Sequence, residues 1–176
     1  MVTAAHPSAE RRGPADPTMA LERARVAVER AARVPGAVVV LDGAPAATRT
    51  GVLEATADAL TDARCPLLLR AADVAERGLP GAVVAAAGWP ASEPVHRALW
   101  DGIVRAALDG RPLVFLVDDA DALSDEALRG LIDWTAHRGA RVALVLASSG
   151  YTALRDRVGD ADAHLVWVPL PRASAG

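Results

Sequence analysis

Five short runs in which nearly every position is apolar punctuate this chain: residues 37–41, 67–69, 113–117, 142–147 and 165–168. Between them the apolar residues fall at helical rather than alternating spacing. Residues 19–34 place Leu21, Val28 and Ala32 near one face, and Pro35-Gly36 ends that helix. Residues 50–63 repeat the pattern with Leu53, Ala57 and Leu60. Val95, Leu99, Ile103 and Ala107 mark another helix, supported by Asp101 and Arg105 one turn apart. Ser124 is suited to cap a helix, with Asp125 and Glu126 at the positive end of its dipole. Leu128, Leu131 and Ile132 form its buried face, and Gly139 is the expected stop. A short helix is expected over 151–158. The segment 78–94, rich in Gly, Pro and small residues, reads either as a loose helix or as a loop.

Runs that are apolar at every position suit strands covered on both faces, and their alternation with helices predicts an α/β protein with a parallel sheet. With 176 residues the chain is long enough for one domain with a sizeable core. The boundaries expected are a disordered leader over 1–18, a domain over 19–171 and a tail over 172–176. The sequence shows no internal repeat, no heptad pattern and no low-complexity tract beyond the leader.

Composition changes the picture in three ways. The hydrophobic fraction is 52% but aromatics are only 3%, so core volume must come from Val, Leu and Ala. All 19 basic residues are arginine, and lysine, asparagine and glutamine are absent. That bias fits a GC-rich genome, which makes a Lys→Arg exchange uninformative by itself. It also excludes Schiff-base chemistry and a lysine nucleophile. Net charge is −3 with both signs interspersed, so no basic stripe predicts a nucleic-acid partner. A lone cysteine, Cys65, closes no internal disulfide, and no signal peptide or run near the ~20 residues of a membrane span is present. The expectation is a cytoplasmic protein without a membrane partner.

The candidate chemistry begins after the first run. Val38-Val39-Val40-Leu41-Asp42-Gly43-Ala44-Pro45-Ala46-Ala47-Thr48-Arg49-Thr50 has the layout of strand, turn and helix start that opens a phosphate loop. The pattern G-x-x-x-x-G-K-[ST] is met at Gly43 and Thr50 and missed at Thr48 and Arg49. Such a loop aims backbone N–H groups at an anion, with lysine on the outer phosphates and the last hydroxyl on magnesium. Gly43, Pro45, Arg49, Thr50 and Gly51 are therefore the nucleotide-contact candidates. Thr48 is β-branched where the pattern has glycine; left-handed backbone there would cost about 1–2 kcal/mol. Arg49 keeps the charge but not the compact shape of an ammonium. Asp118 and Asp119, which end the third run, are placed to hold magnesium and to polarise a water. A solvated-loop role for Asp119, Asp121 and Asp125 is the alternative.

From Val38 to Leu170 the order of these pieces resembles the nucleotide-binding core of the STAND branch of the AAA+ P-loop ATPases. It is similar above all to the ATPase part of large LuxR-type (MalT-like) regulators. The pieces that carry the resemblance are Gly43 to Thr50, Pro112 to Leu123, Ala143 to Ser149 and Val168-Pro169-Leu170. It implies a three-layer αβα sandwich with strand order 5-1-4-3-2. It further implies ATP or ADP with Mg²⁺ as cofactor, Thr50 and Asp118 at the metal, Asp119 as the catalytic acid, and Ser148 or Ser149 as a polar sensor. Ala46, Thr48 and Arg49 depart from the loop of that family, so ATP hydrolysis is not expected. The expected function is weak, regulatory ATP/ADP binding, with a nucleotide-free interaction module as the alternative. A homo-oligomer or a larger regulator is the expected partner. No lid or DNA-binding module is expected after residue 170, so transcription-factor activity is not carried over.

Other chemistries find little support. Asp42-Gly43 lacks the second acid of a haloacid-dehalogenase nucleophile, and Ala44 stands in its place. His96, His137 and His164 have no metal spacing, and no serine lies in a G-x-S-x-G elbow. Trp89, Trp100, Trp134 and Trp167 are expected in the core or as helix-face anchors. Trp100, one position off the buried stripe of its helix, is the candidate for a partner contact.

Overall fold

Apolar runs too short to bury themselves as helices pair here as five parallel strands. The structure, a computed structural model, describes residues 17–90, 94–137, 141–158 and 164–171. Most of the expected leader, the expected stop at Gly139 and the tail 172–176 lie outside the described residues. The chain runs through α1 (Pro17–Ala32), β1 (Ala37–Asp42), α2 (Ala46–Leu60), β2 (Cys65–Arg70), α3 (Ala71–Ala86) and α4 (Val95–Leu108). It continues with β3 (Leu113–Asp118), a 3-10 turn (Ala120–Ala122), α5 (Asp125–Ala136), β4 (Ala143–Ser148), α6 (Tyr151–Val158) and β5 (His164–Pro169). Helix α1 starts two residues inside the expected leader, on Pro17, a residue preorganised for a first helical position.

The sheet order is β2-β3-β4-β1-β5, the expected 5-1-4-3-2 read from the other edge. All four pairings are parallel. Alternate residues of the strands feed two cores. Val38, Val40, Leu113, Phe115, Val117, Leu144 and Leu146 pack under α3, α4, α5 and α6. Val39, Leu41, Val114, Leu116, Val145 and Ala147 pack under α1 and α2. Both faces are thus covered, which is why the runs are apolar at every position. Three layers, αβα, result. The edge strands each contain a proline, Pro66 in β2 and Pro169 in β5.

Of the ambiguous segment 78–94, residues 78–86 belong to α3, and residues 91–93 lie outside the described residues. Gly78 breaks that helix with φ 69° and ψ 158°, and Pro80 opens the second half. After Gly88, Trp89 lies against Gly102 of α4, where an added Cβ would stand 2.3 Å from the indole ring. Among the described residues no helix is long and apolar enough to cross a membrane.

Candidate functional site

β1 delivers the chain to the C-terminal edge of the sheet, where it turns through Gly43 (φ 90°) and Ala44 (φ 59°). Glycine enters this left-handed region freely, whereas Ala44 pays roughly 1–2 kcal/mol for it. Helix α2 begins at Ala46 with Pro45 as its extended N-cap. The strain expected at Thr48 is therefore found at Ala44, and the helix expected from Thr50 starts four residues earlier. Alanines at 46 and 47 explain this, since alanine is the residue that best propagates a helix. As a result the N–H groups of Thr48 and Arg49 both donate to the Pro45 carbonyl, at 3.0 and 3.1 Å. In a phosphate loop such groups would face the anion.

Arg49 then closes what remains. Its side chain is 6% exposed, Nη1 donates to the Ala44 carbonyl at 2.9 Å, and Nη2 meets Asp119 Oδ1 at 3.2 Å. The guanidinium thus ties the turn after β1 to the end of β3, across the cleft a phosphate would enter. Its Nε is buried with no partner among the described residues. Asp119 itself is 63% exposed and left-handed (φ 52°, ψ 45°), a conformation that aspartate tolerates better than most residues. Its N–H donates to Asp118 Oδ1 at 3.0 Å.

Thr50 lies beside Asp118. The hydroxyl is 2.6 Å from Asp118 Oδ2 and 3.1 Å from the Ala46 carbonyl. Its single proton goes to the charged, closer acceptor. The Thr50 oxygen keeps lone pairs for a cation, so Thr50 and Asp118 fit the magnesium half of a nucleotide site. The phosphate half is closed in this conformation: the Pro45 carbonyl takes the Thr48 and Arg49 N–H groups, and the Arg49 guanidinium must swing aside before a phosphate can enter. Asp42 adds a buried carboxylate oxygen, Oδ1, without a partner among the described residues. Asp42 ends β1 and Asp118 ends β3 at this cleft, and their carboxylates repel an anion arriving without its metal.

Ser148, the expected sensor residue, ends β4 opposite Asp42 in register. It does not reach Thr50 or Asp118, however. Its hydroxyl meets Asp121 Oδ1 at 2.6 Å, while Ser149 gives Asp121 Oδ2 both its N–H (2.7 Å) and its hydroxyl (2.8 Å). Burial pushes the Asp121 carboxyl up, but these bonds and the Arg49 charge outweigh it and hold the carboxyl below the usual range. Asp121 is thus a half-buried clasp between β3 and β4 rather than a solvated loop residue; Asp119 and Asp125 are the exposed ones. Asp125 pairs with Arg157 Nε at 2.7 Å, and Arg157 also bonds the Asp121 carbonyl at 3.2 Å. Sequence reasoning missed this clasp because nothing local distinguishes Asp121 from its neighbours. Gly51 lies on the exposed side of α2 facing open space, away from the cleft. His96 and His137 are exposed, and no group of three metal-ligating side chains occurs among the described residues.

The strand order, the loop after β1 and the pairing of Thr50 with an acid ending β3 define a P-loop NTPase-like αβα fold. Solved structures agree. The ORC2 protein of Aeropyrum pernix, in ADPNP-ADP complexes, matches with TM-score 0.61 and 16% identity over 86% of this chain and 47% of that one. A chain from Drosophila ORC bound to GC-rich DNA and Cdc6 matches with TM-score 0.64 and 15% identity over 88% of this chain and 28% of that one. The Aeropyrum pernix ORC1 protein in complex with DNA gives TM-score 0.51 and 19% identity over 90% of this chain and 46% of that one. At such identities the likeness is one of fold, and this chain spans less than half of each relative. No protein-family model and no curated protein matches the sequence.

Proposed function

We propose that this chain, through the domain of residues 19–171, is a regulatory P-loop module that binds ATP or ADP weakly and does not turn it over. The single observation that supports the reading is Arg49 bridging Ala44 and Asp119 across the phosphate cleft. A nucleotide must first break two charge-assisted hydrogen bonds of a buried guanidinium, of which the bond to the Ala44 carbonyl is worth about 1.5–3 kcal/mol and the bond to exposed Asp119 less. Even one of these lowers affinity roughly 10- to 100-fold. When nucleotide is bound, Thr50 and Asp118 would hold Mg²⁺, Gly43, Pro45 and Arg49 would line the phosphates, Gly51 would follow them on α2, and Ser148 would be the sensor. Asp119, exposed and turned toward Arg49, is poorly placed as a catalytic acid. The kinship that best accounts for this arrangement is the STAND branch and its LuxR-type regulators, acting in the cytoplasm.

The second reading is a nucleotide-free interaction module. Trp100, Val104 and Leu108 favour it, since they line one exposed side of α4 at 36%, 52% and 82% exposure. Calorimetric titration with Mg-ATP and Mg-ADP separates the two. The triple variant Ala46→Gly, Thr48→Gly, Arg49→Lys loosens the first turn of α2 and removes the fork that spans the cleft. Its affinity should rise by about tenfold or more, that is about 1.4 kcal/mol. No gain, with wild-type binding weaker than about millimolar, would sink the nucleotide reading and leave the interaction module.

A further inference from the structure

At the opposite edge of the sheet an arginine precedes each of four strands. Arg33 comes before β1, Arg64 before β2, Arg111 before β3 and Arg141 before β4. Because β2, β3, β4 and β1 are neighbours in that order, residues far apart in sequence converge there. Arg33, Arg64 and Arg141 line an open depression of about 220 Å³ together with Ala63, Gly110 and Pro112.

Some of these groups have an ordinary structural role. Arg111 donates to the Thr61 carbonyl at 2.6 Å and the Arg64 carbonyl at 3.2 Å, and Arg64 Nη2 donates to the Arg33 carbonyl. These are the uses arginine finds near helix C-termini, where carbonyls are left over. Arg33 bonds Glu29 at 2.8 Å. That accounting leaves two groups over. Arg64 Nη1 is buried and has no acceptor among the described residues. Arg141 has no hydrogen bond or ion pair to any described residue. No carboxylate among the described residues pairs with Arg64, Arg111 or Arg141.

Guanidinium groups brought together without such a carboxylate repel one another, and an anion seated between them offsets that cost. From this pocket the geometry points to a binding site for a phosphate-class dianion, recognised by Arg33, Arg64 and Arg141, with Arg111 positioning the loop that carries Arg64. The environment of Arg64 is consistent with it: burial, then the charges of Arg141 and Arg33, hold its guanidinium below the ordinary arginine range. Arginine forks match phosphate oxygens in pairs. The pocket is smaller than those that enclose drug-sized ligands, so it suits orthophosphate, pyrophosphate or a phosphomonoester headgroup rather than a whole nucleotide. This site is independent of the phosphate loop, which opens at the other end of the strands.

Thermal melting and calorimetry at low salt test it, with sodium pyrophosphate, orthophosphate and glycerol phosphate as probes and sodium chloride at matched ionic strength as control. Pyrophosphate at about ten times its Kd should raise Tm by roughly 3–6 °C. Orthophosphate matching pyrophosphate would assign the site to free phosphate, and glycerol phosphate binding tighter than either would assign it to a phosphomonoester. The response should persist in Thr50→Ala and be lost in Arg64→Gln and in Arg141→Gln. Arg141 is exposed and makes no bond to the described residues, so Arg141→Gln remains informative where Arg64→Gln fails to fold. Without anion, Arg141→Gln should melt no lower than wild type, because it removes a repelling charge. Four outcomes would overturn the proposal: an equal rise with chloride, an undiminished response in Arg141→Gln, loss of the response in Thr50→Ala, or no rise with any of the three phosphate probes.

Discussion

Left-handed backbone at Ala44 stores strain that a glycine would not feel, and it does so beside the guanidinium that closes the cleft. Relief of about 1–2 kcal/mol, less the extra chain entropy glycine carries when unfolded, leaves roughly 0.5–1 kcal/mol. Ala44→Gly should therefore be stabilising by that amount in chemical denaturation. Thr48→Gly, inside α2, relieves no such strain and should be neutral or destabilising. The opposite result would return the strain to Thr48, where the motif alone would have put it. That misplacement is instructive about what a sequence shows. The residues Gly43, Thr50, Asp118 and Asp119 were legible as a set, because strand ends fix where they fall. Which of eight loop residues takes the left-handed turn was not, since it depends on where α2 starts. Nor did the chain announce the arginine pocket: interspersed charges hid it, although an arginine just upstream of each of four apolar runs was a signal available all along.

Among the elements, α4 shares a core with α3 and also carries an aromatic ring from the turn that follows α3. Trp89 lies on Gly102, and a Cβ there would approach the ring to 2.3 Å. Gly102→Ala should destabilise by about 1–3 kcal/mol, the clash outweighing the ~1 kcal/mol that alanine gains in a helix. Gly51→Ala, which meets open space on α2, should instead be stabilised by that propensity gain. Thermal melts of the two variants shifting in the same direction would refute this account of the contact. The helices with regular apolar stripes were read correctly from sequence for the reason that makes them stable: α4 buries Leu99 and Ile103, and α5 buries Leu128, Leu131 and Ile132. Helix α3 escaped because Val74 is the one large apolar residue in its first half, and because Gly78 and Pro80 break the pattern where the two halves meet.

For the molecule as a whole, the open question is how it meets a partner. Trp100 is tilted against His137 with ring centroids 5.5 Å apart, and Val104 and Leu108 continue the exposed line along α4. Buried aromatic anchors dominate interface energies, so sedimentation at micromolar concentration should show self-association that Trp100→Ala weakens. A monomeric wild type with no co-purifying protein would count against it.

The prolines in both outer strands narrow the way such an assembly can form. Pro66 and Pro169 each remove a backbone donor from a rim of the sheet, and proline is tolerated in a sheet where its missing N–H leaves no rung of the ladder broken. A second chain trying to extend the sheet by strand addition finds a gap on either side, the same device by which proteins avoid edge-to-edge aggregation. Growth into sheets that continue from one molecule to the next is thereby discouraged, and contact through helix faces, with a defined stoichiometry, is the route left open.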